Sequence, residues 1–484
     1  MFIPWVNQDT IIKGSFTPEL HIAGDFTDMT ERKKLYIKTY GCQMNVYDSQ
    51  RIADVMKPLG YDPTEEPDDA DMLVLNTCHI REKATEKVFS DLGRFKPIKD
   101  QGKKAGKKVI IGVAGCVAQA EGDVITQRAP YVDMVFGPQT YHRLAEMVLD
   151  IQGDLKRRIV NTDFPVEPKF DHLPTDQAVN GPSAYLAVQE GCDKFCTFCV
   201  VPYTRGAEYS RTVVQIIEEA KRLSDKGAKE LILLGQNVNA FHGEGPDGKV
   251  WSLARLMEAL SEISAVERLR YMTSHPRDME EDLIRAHGDL PKLMPYLHLP
   301  VQHGSDRMLK AMNRKHTAQE YIDIIANVRK VRPDIALSSD FIVGFPGETD
   351  QDHADNMAFI KEVTYAQAYS FKYSPRPGTP AAAMAPQIRE DVKAARLSEL
   401  QGELFKQATS FNSDFINKTM PILFDRVGKE DSQLHGRSPY NQPVHVTGNK
   451  RLLGQTIEVK ITGASGSSLT GDIVTVDGNI TEAA

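Results

Sequence analysis

Gly191-Cys192-Asp193-Lys194-Phe195-Cys196-Thr197-Phe198-Cys199 follows directly on the apolar run from Ala184 to Val188, and so places three thiols in one short loop at a strand end. Three thiolates so spaced suit an iron-sulfur cubane: they hold three of its irons and leave the fourth open to a small molecule. A structural zinc site instead closes four ligands, usually as two CxxC-type pairs. A zinc knuckle that borrows a distant fourth ligand is the competing reading, weakened by the long α/β pattern that this triplet heads.

Downstream, short apolar runs alternate with helical spacing. Strands are predicted over 184–189, 230–234, 269–273, 296–301, 335–343 and 366–373, with helices over 213–226, 253–264, 317–331 and 350–362. Six βα units predict an incomplete (βα)6 barrel whose chemistry belongs at the carboxyl ends of its strands. Cys192 follows the first strand, Gly235-Gln236-Asn237 the second, Thr273-Ser274-His275 the third and Gln302-His303-Gly304-Ser305 the fourth. The fifth runs into Val343-Gly344-Phe345-Pro346-Gly347-Glu348-Thr349, whose glycines let backbone approach a ligand, although Gly-Pro loops are also ordinary turns. Phe195 and Phe198 can shield a cluster or simply pack the barrel lip. Arg205 and Arg211 are candidates for phosphate or cofactor contact, with surface ion pairs as the plain alternative.

Upstream, from Leu35, the same alternation predicts a parallel, Rossmann-like α/β sheet. Three of its strands end in cysteine: Leu35 to Thr39 leads to Gly41-Cys42, Met72 to Leu75 leads to Cys78, and Val109 to Ala114 leads to Gly115-Cys116. Ligands of open parallel sheets bind beyond the carboxyl ends of the strands, so Cys42, Cys78 and Cys116 should converge there as a second three-thiolate site. Three independently buried cysteines are the alternative. His79 and Arg81 flank this site.

After a helical stretch over 390–417, short glycine-punctuated strands over 421–427, 444–447, 456–461 and 469–476 predict a small antiparallel β-barrel. His435-Gly436-Arg437 and Asn449-Lys450-Arg451 offer local phosphate contacts within a module of roughly balanced charge, Asp425, Glu430 and Asp431 included. The chain thus divides into an extension (1–32), a first α/β domain (33–160), a proline-rich linker (161–183), the partial barrel (184–410) and the small barrel (411–480).

Of 484 residues, 41% are hydrophobic and 26% charged, the balance of a soluble globular protein. No run of about 18 apolar residues predicts a membrane span. Six cysteines are too few for a disulfide scaffold, and reduced thiolates point to the cytoplasm. A net charge of −8 argues against a chain-wide grip on nucleic acid, so any RNA contact is local.

The CxxxCxxC triplet resembles that of the radical S-adenosylmethionine (SAM) superfamily, whose open iron chelates SAM. The C-terminal module resembles the TRAM domain, an RNA-binding barrel. In that order, the three-cysteine domain, the CxxxCxxC barrel and the TRAM-like barrel resemble the methylthiotransferase family over almost the whole chain after the first 30 residues. Within the family, Asn76-Thr77-Cys78-His79-Ile80-Arg81-Glu82-Lys83-Ala84 and Cys199-Val200-Val201-Pro202-Tyr203-Thr204-Arg205-Gly206 look like the branch that modifies N6-isopentenyladenosine in tRNA. One departure is His303, where the family's Gln-Ser-Gly-Ser pattern has a small serine.

The resemblance implies two 4Fe-4S clusters, a radical SAM cluster on Cys192, Cys196 and Cys199 and a second on Cys42, Cys78 and Cys116, with SAM as both radical source and methyl donor. It implies transfer of a methylthio group to C2 of the adenine just 3′ of the anticodon, at a C–H too weakly acidic for side-chain bases to activate. It places SAM near Phe198, Gln236, Asn237, Ser305, Ser339, Gly344 and Glu348, and tRNA near Arg205, Arg211, Arg376, Arg437 and Lys450. An external electron donor such as a flavodoxin or ferredoxin, and iron-sulfur assembly or sulfur-delivery proteins, are the further partners implied. Threonylcarbamoyl-adenosine or a ribosomal-protein aspartate as target, and a non-catalytic RNA-binding redox sensor, are the alternatives.

Overall fold

The computed structural model describes residues 32–79, 84–153, 157–430 and 432–474. The expected N-terminal extension, apart from Arg32, lies outside the described residues, as do Arg81, Asp431 and the end of the last expected strand. From Lys33 onward the described residues form one compact unit.

The first domain is a six-stranded, all-parallel sheet built from β1 (Lys33–Thr39), β2 (Tyr61–Pro63), β3 (Met72–Thr77), β4 (Ile110–Gly115), β5 (Met134–Phe136) and β6 (Ile159–Asn161). Its order is β2-β1-β3-β4-β5-β6. β3 and β4 are buried at every position, as central strands covered on both faces must be. Met72 and Val74 point to one face and join a core with Ile52, Val55 and Met56 of the helix Gln43–Met56. Leu73 and Leu75 point to the other and meet Val88, Leu92 and Phe95 of the helix Ala84–Lys104. β1, β3 and β4 are neighbours, so the three residues that follow them in sequence, Cys42, Cys78 and Cys116, share one edge of the sheet.

The second domain has the six predicted strands: β7 (Ser183–Ala187), β8 (Glu230–Leu234), β9 (Arg268–Tyr271), β10 (Tyr296–His298), β11 (Ala336–Val343) and β12 (Gln367–Lys372). They form two parallel three-stranded sheets, β7-β8-β9 and β10-β11-β12, linked through a parallel bridge between Leu269 and Leu293. Leu231, Leu269, Leu297 and Phe341 meet Ile216, Leu256, Ile325 and Ile360 of the covering helices in one core. Helix starts follow local chemistry: Thr317 and Thr349 each close a capping box over the first turn that follows.

The helix Glu390–Ser413 leads into a closed five-stranded barrel of β13 (Thr419–Val427), β14 (Gln433–Arg437), β15 (Pro443–Thr447), β16 (Thr456–Ala464) and β17 (Leu469–Ile473), ordered β13-β14-β15-β17-β16. All pairings are antiparallel except β15 with β17. β14 lies where the sequence pattern predicts no strand, because QLHGR carries a single aliphatic residue. This barrel is seated on the amino-terminal end of β9. Arg268 donates to the carbonyls of Arg437 and Pro421, and Arg270 to those of Pro439 and Ser438, at 2.8 Å in each case.

Candidate metal and cofactor site

The three strand ends of the first domain are stitched together by side chains that the sequence reading passed over. Asn45 Nδ2 donates to the carbonyls of Tyr40 (2.8 Å) and Thr77 (2.9 Å), while Asn76 Nδ2 donates to Asn45 O (2.8 Å). Thr77 Oγ1 donates to Ala114 O and accepts from Val117 N. The loops carrying Cys42, Cys78 and Cys116 are thereby fixed to one another. Gly41 has φ +104°, and a Cβ there would lie 2.5 Å from Cys78 Sγ, so bare backbone is required beside the thiol. A hydrogen bond from Cys78, opposed by burial and aided by the Arg205 charge, brings the Cys42 thiol down to about 6. Burial pushes the Cys116 thiol up, with Arg205 pulling the other way.

The barrel trio is a single loop clamped from outside. Thr197 N donates to Met312 O (3.1 Å), Thr197 Oγ1 to Ala311 O (3.0 Å), and Asn313 Nδ2 to Phe195 O (2.9 Å). Arg314, buried beneath, donates from Nη1 to Cys196 Sγ at 3.4 Å and from Nη2 to Pro300 O. Of eight non-glycine residues with positive φ among the described residues, five gather here: Phe195, Thr273, Gln302, Asn313 and Lys315. Backbone strain of this kind collects at sites that hold ligands. Burial pushes Cys192 up to about 11 and Cys199 to about 12, so these thiols ionise only with a cation or metal to stabilise the charge.

Cys192, Cys196 and Cys199 line a cavity of about 280 Å³ at the carboxyl ends of the barrel strands. Phe198, Gln236, Asn237 and Arg376 line it too, and Gln236 accepts from Gly191 N at 2.6 Å, tying the second strand end to the cysteine loop. His79, the neighbour of Cys78, is also part of the lining. The structure does not bring the remaining expected SAM residues into this cavity. Ser305 donates to Asp352 (2.7 Å), and Ser339 donates to Leu299 O and accepts from Val301 N (both 3.0 Å). Gly344, at φ +72°, abuts Lys393, and Glu348 is buried against Arg396, with His303 at 3.7 Å. His303 thus fills an internal position and accepts from Ser305 N, which explains how a larger residue stands where serine is expected.

The expected RNA-facing arginines also separate. Arg205 and Arg211 are buried in ion pairs, Arg205 with Glu190 and Asp48, Arg211 with Glu219. Arg437 Nη1 donates to Asn441 O, and Lys450 is exposed on a 3-10 turn. Arg314, and Asp278, which pairs with Lys194 and holds Asn237, are site residues that no motif announced. Arg314 is buried between two residues of positive φ, Asn313 and Lys315.

No disulfide joins any of the six cysteines. Among the described residues no three His, Cys, Asp or Glu are grouped to hold a single metal ion. The donor sets of the two trios, thiols only, suit an iron-sulfur core spread over several irons. The cavity suits an amphipathic cofactor: its lining is largely apolar, yet Asn237 Oδ1, Ser274 Oγ, His275 Nε2, Arg314 Nε and His79 Nδ1 are buried there without partners. Each such atom costs about 1–3 kcal/mol unless a ligand or water meets it.

Comparison with known proteins agrees. Residues 34–137 match an uncharacterized protein family, UPF0004, residues 186–360 the radical SAM superfamily, and residues 415–474 the TRAM domain. A radical SAM methyltransferase from Kitasatospora setae, TsrM, solved with cobalamin and a 4Fe-4S cluster, superimposes with a TM-score of 0.54 at 12% identity, over 73% of this chain and 77% of that one. The partial barrel with its CxxxCxxC loop therefore defines a radical SAM protein. Curated relatives from Rickettsia felis and Maricaulis maris, each named tRNA-2-methylthio-N(6)-dimethylallyladenosine synthase, are 57% identical over 91% and 92% of this chain and over 100% and 98% of their own lengths. The chain belongs to the tRNA-2-methylthio-N(6)-dimethylallyladenosine synthase family.

Proposed function

We propose that this chain transfers a methylthio group to C2 of N6-isopentenyladenosine in tRNA, just 3′ of the anticodon, using two 4Fe-4S clusters held by its two cysteine trios. The observation that carries the reading is that the barrel trio lines a cavity that His79, beside Cys78 of the other trio, lines as well. When bound, the clusters and SAM supply one-electron cleavage, sulfur and methyl group, chemistry that no side chain of the protein offers. The chain's own residues bind and orient. Gln236 and Asn237 are held by Gly191 and Asp278 at the mouth of the barrel, where SAM's methionyl end would lie. Phe198 and Phe371 give the cavity aromatic faces against which a purine can stack. Arg376, in the cavity lining, would meet an RNA phosphate, and Lys450, exposed on the small barrel, the stem. A base reaches such a cavity only from an unpaired loop. The residues Ser305, Ser339, Gly344 and Glu348 act one layer behind, holding the strand ends that shape it.

Among the described residues no helix is long and apolar enough to cross a membrane. The cytoplasm, with its reduced thiols, an external electron donor such as a flavodoxin or ferredoxin, and iron-sulfur assembly proteins, completes the reading. The test is mass spectrometry of tRNA nucleosides from cells lacking this chain. Loss of 2-methylthio-N6-isopentenyladenosine with accumulation of N6-isopentenyladenosine, restored by the intact gene, is expected. Loss of a threonylcarbamoyl derivative instead would overturn the assignment of target.

A further inference from the structure

One buried side chain from the barrel domain reaches the N-terminal trio. Arg205 lies just beyond Cys199, past the turn Val201–Thr204, yet its guanidinium enters the first domain and is 3% exposed. Nη1 donates to Glu190 Oε1 at 2.7 Å; Nη2 donates to Asp48 Oδ2 at 2.6 Å and to Asn45 Oδ1 at 3.1 Å. Cys42 Sγ lies 3.7 Å from that same Asn45 oxygen, so a single atom separates the guanidinium from the first thiol of the N-terminal trio. Lys169, from the segment between the domains, closes the network with Nζ 2.7 Å from Glu190 and 3.7 Å from Asp48.

Two cations and two carboxylates, each from a different stretch of chain and each at most 3% exposed, balance one another. Such a set is seldom worth more to stability than apolar packing of the same volume. Its placement is what it offers. Three ligating thiolates bring extra negative charge, and at the low dielectric of a buried site a neighbouring cation is felt strongly. The Arg205 charge reaches both Cys42 and Cys116.

We propose that Arg205 is a positioning residue inserted by the barrel beside the N-terminal trio, where its fixed positive charge sets the reduction potential of the cluster held by Cys42, Cys78 and Cys116. The proposal rests on the two-cluster reading above. It is tested in the full chain carrying Cys192→Ala, Cys196→Ala and Cys199→Ala, reconstituted anaerobically so that only the N-terminal cluster is present, with potential followed by electron paramagnetic resonance. Arg205→Gln is expected to make one-electron reduction about tenfold less favourable, or ~59 mV lower. Arg205→Lys, which keeps the charge, is expected to stay within about threefold of the parent, and Glu190→Gln, which removes a counter-charge, to shift the potential upward. A folded, loaded Arg205→Gln protein with the parent's potential, or Lys and Gln variants that shift alike, overturns the proposal. Should Arg205→Gln fail to fold, an unchanged or lowered potential in Glu190→Gln overturns it equally. If the parent itself takes up no cluster, the two-cluster reading fails, and this proposal falls with it.

Discussion

The two cysteine trios reach the same donor set by opposite routes. Cys192, Cys196 and Cys199 sit within one loop, whose shape is imposed by a neighbouring turn over 311–314. Cys42, Cys78 and Cys116 come from three strands, and their shape is imposed by the sheet itself together with Asn45, Asn76 and Thr77. The first trio is local, so its integrity depends on a few contacts around the loop. The second exists only once the sheet has formed, so its integrity depends on the fold of a whole domain.

The largest effect expected follows from replacing either trio by alanine. Anaerobically reconstituted protein should bind about eight irons, and each triple variant about four, as two four-iron clusters require. Both variants should lose tRNA methylthiolation, whereas cleavage of SAM to 5′-deoxyadenosine should be lost only with the barrel trio. Iron and sulfide quantitation with product analysis reads both. A wild-type content near four irons would erase the comparison altogether.

Glycine substitutions sharpen it one step below. A Cβ at Gly41 would lie 2.2 Å from Cys78 Cβ, so Gly41→Ala pushes one ligand off its place and should empty the N-terminal trio while SAM cleavage survives. At Gly191, with φ +76°, the Cβ would lie 1.9 Å from Ala207 O. Gly191→Ala must therefore spread the short pairing of Gln189–Glu190 with Tyr209–Ser210, at a cost of about 1–3 kcal/mol, and should empty the barrel trio instead. Iron content alongside thermal melts separates the two outcomes.

Acidity distinguishes Cys42 of the N-terminal trio from Cys192 and Cys199 of the barrel trio in metal-free protein. Cys42, held at about 6 by its hydrogen bond from Cys78, is mostly thiolate at pH 7, while Cys192 at about 11 and Cys199 at about 12 are thiols. The higher nucleophilicity of a high-pKa thiolate offsets part of the difference, leaving Cys42 about a hundredfold faster toward iodoacetamide at neutral pH. Thiolate grows as pH rises through each value, so Cys42 labelling should level off above pH ~7 while that of Cys192 and Cys199 is still climbing at pH ~10. Peptide mass spectrometry of timed labelling reads the rates.

The same contrast explains what could be seen in the sequence. The barrel trio is visible as a nine-residue motif, and the N-terminal trio as three strand ends, because a parallel sheet puts carboxyl ends on one edge. β3, β4 and β8 carry nearly continuous buried aliphatic runs and are easily placed; β2, β5 and β6, three residues each, and β14, with one aliphatic residue, are not. Residues singled out through a glycine-rich motif or strand-end position fared differently. Gln236 and Asn237 line the cavity, but the Ser305, Ser339 and Glu348 side chains turn into internal hydrogen bonds, a choice made by packing partners distant in sequence. Arg205 and Arg211 look like surface cations because charge in a sequence says nothing of the carboxylates, Asp48 and Glu219, that meet it in space.

Arg314 gives the smallest and most discriminating effect. Like Arg205 it is a buried arginine beside a trio, but it reaches its sulfur directly, through a hydrogen bond to Cys196 at 3.4 Å. A charged donor on a ligating sulfur stabilises the more negative, reduced cluster, and a charge-assisted hydrogen bond exceeds a neutral one about twofold. Arg314→Gln keeps a donor of shorter reach and loses the charge, so reduction of the barrel cluster should become about tenfold harder, ~59 mV for one electron. SAM cleavage driven by a fixed reductant should slow accordingly, while iron content holds and the N-terminal cluster keeps its potential. Arg205→Gln should do the reverse, leaving the barrel cluster untouched. If either variant moved both potentials equally, the two trios would be one electrostatic unit, and the separation between a loop-built and a sheet-built site would hold for folding but not for redox chemistry.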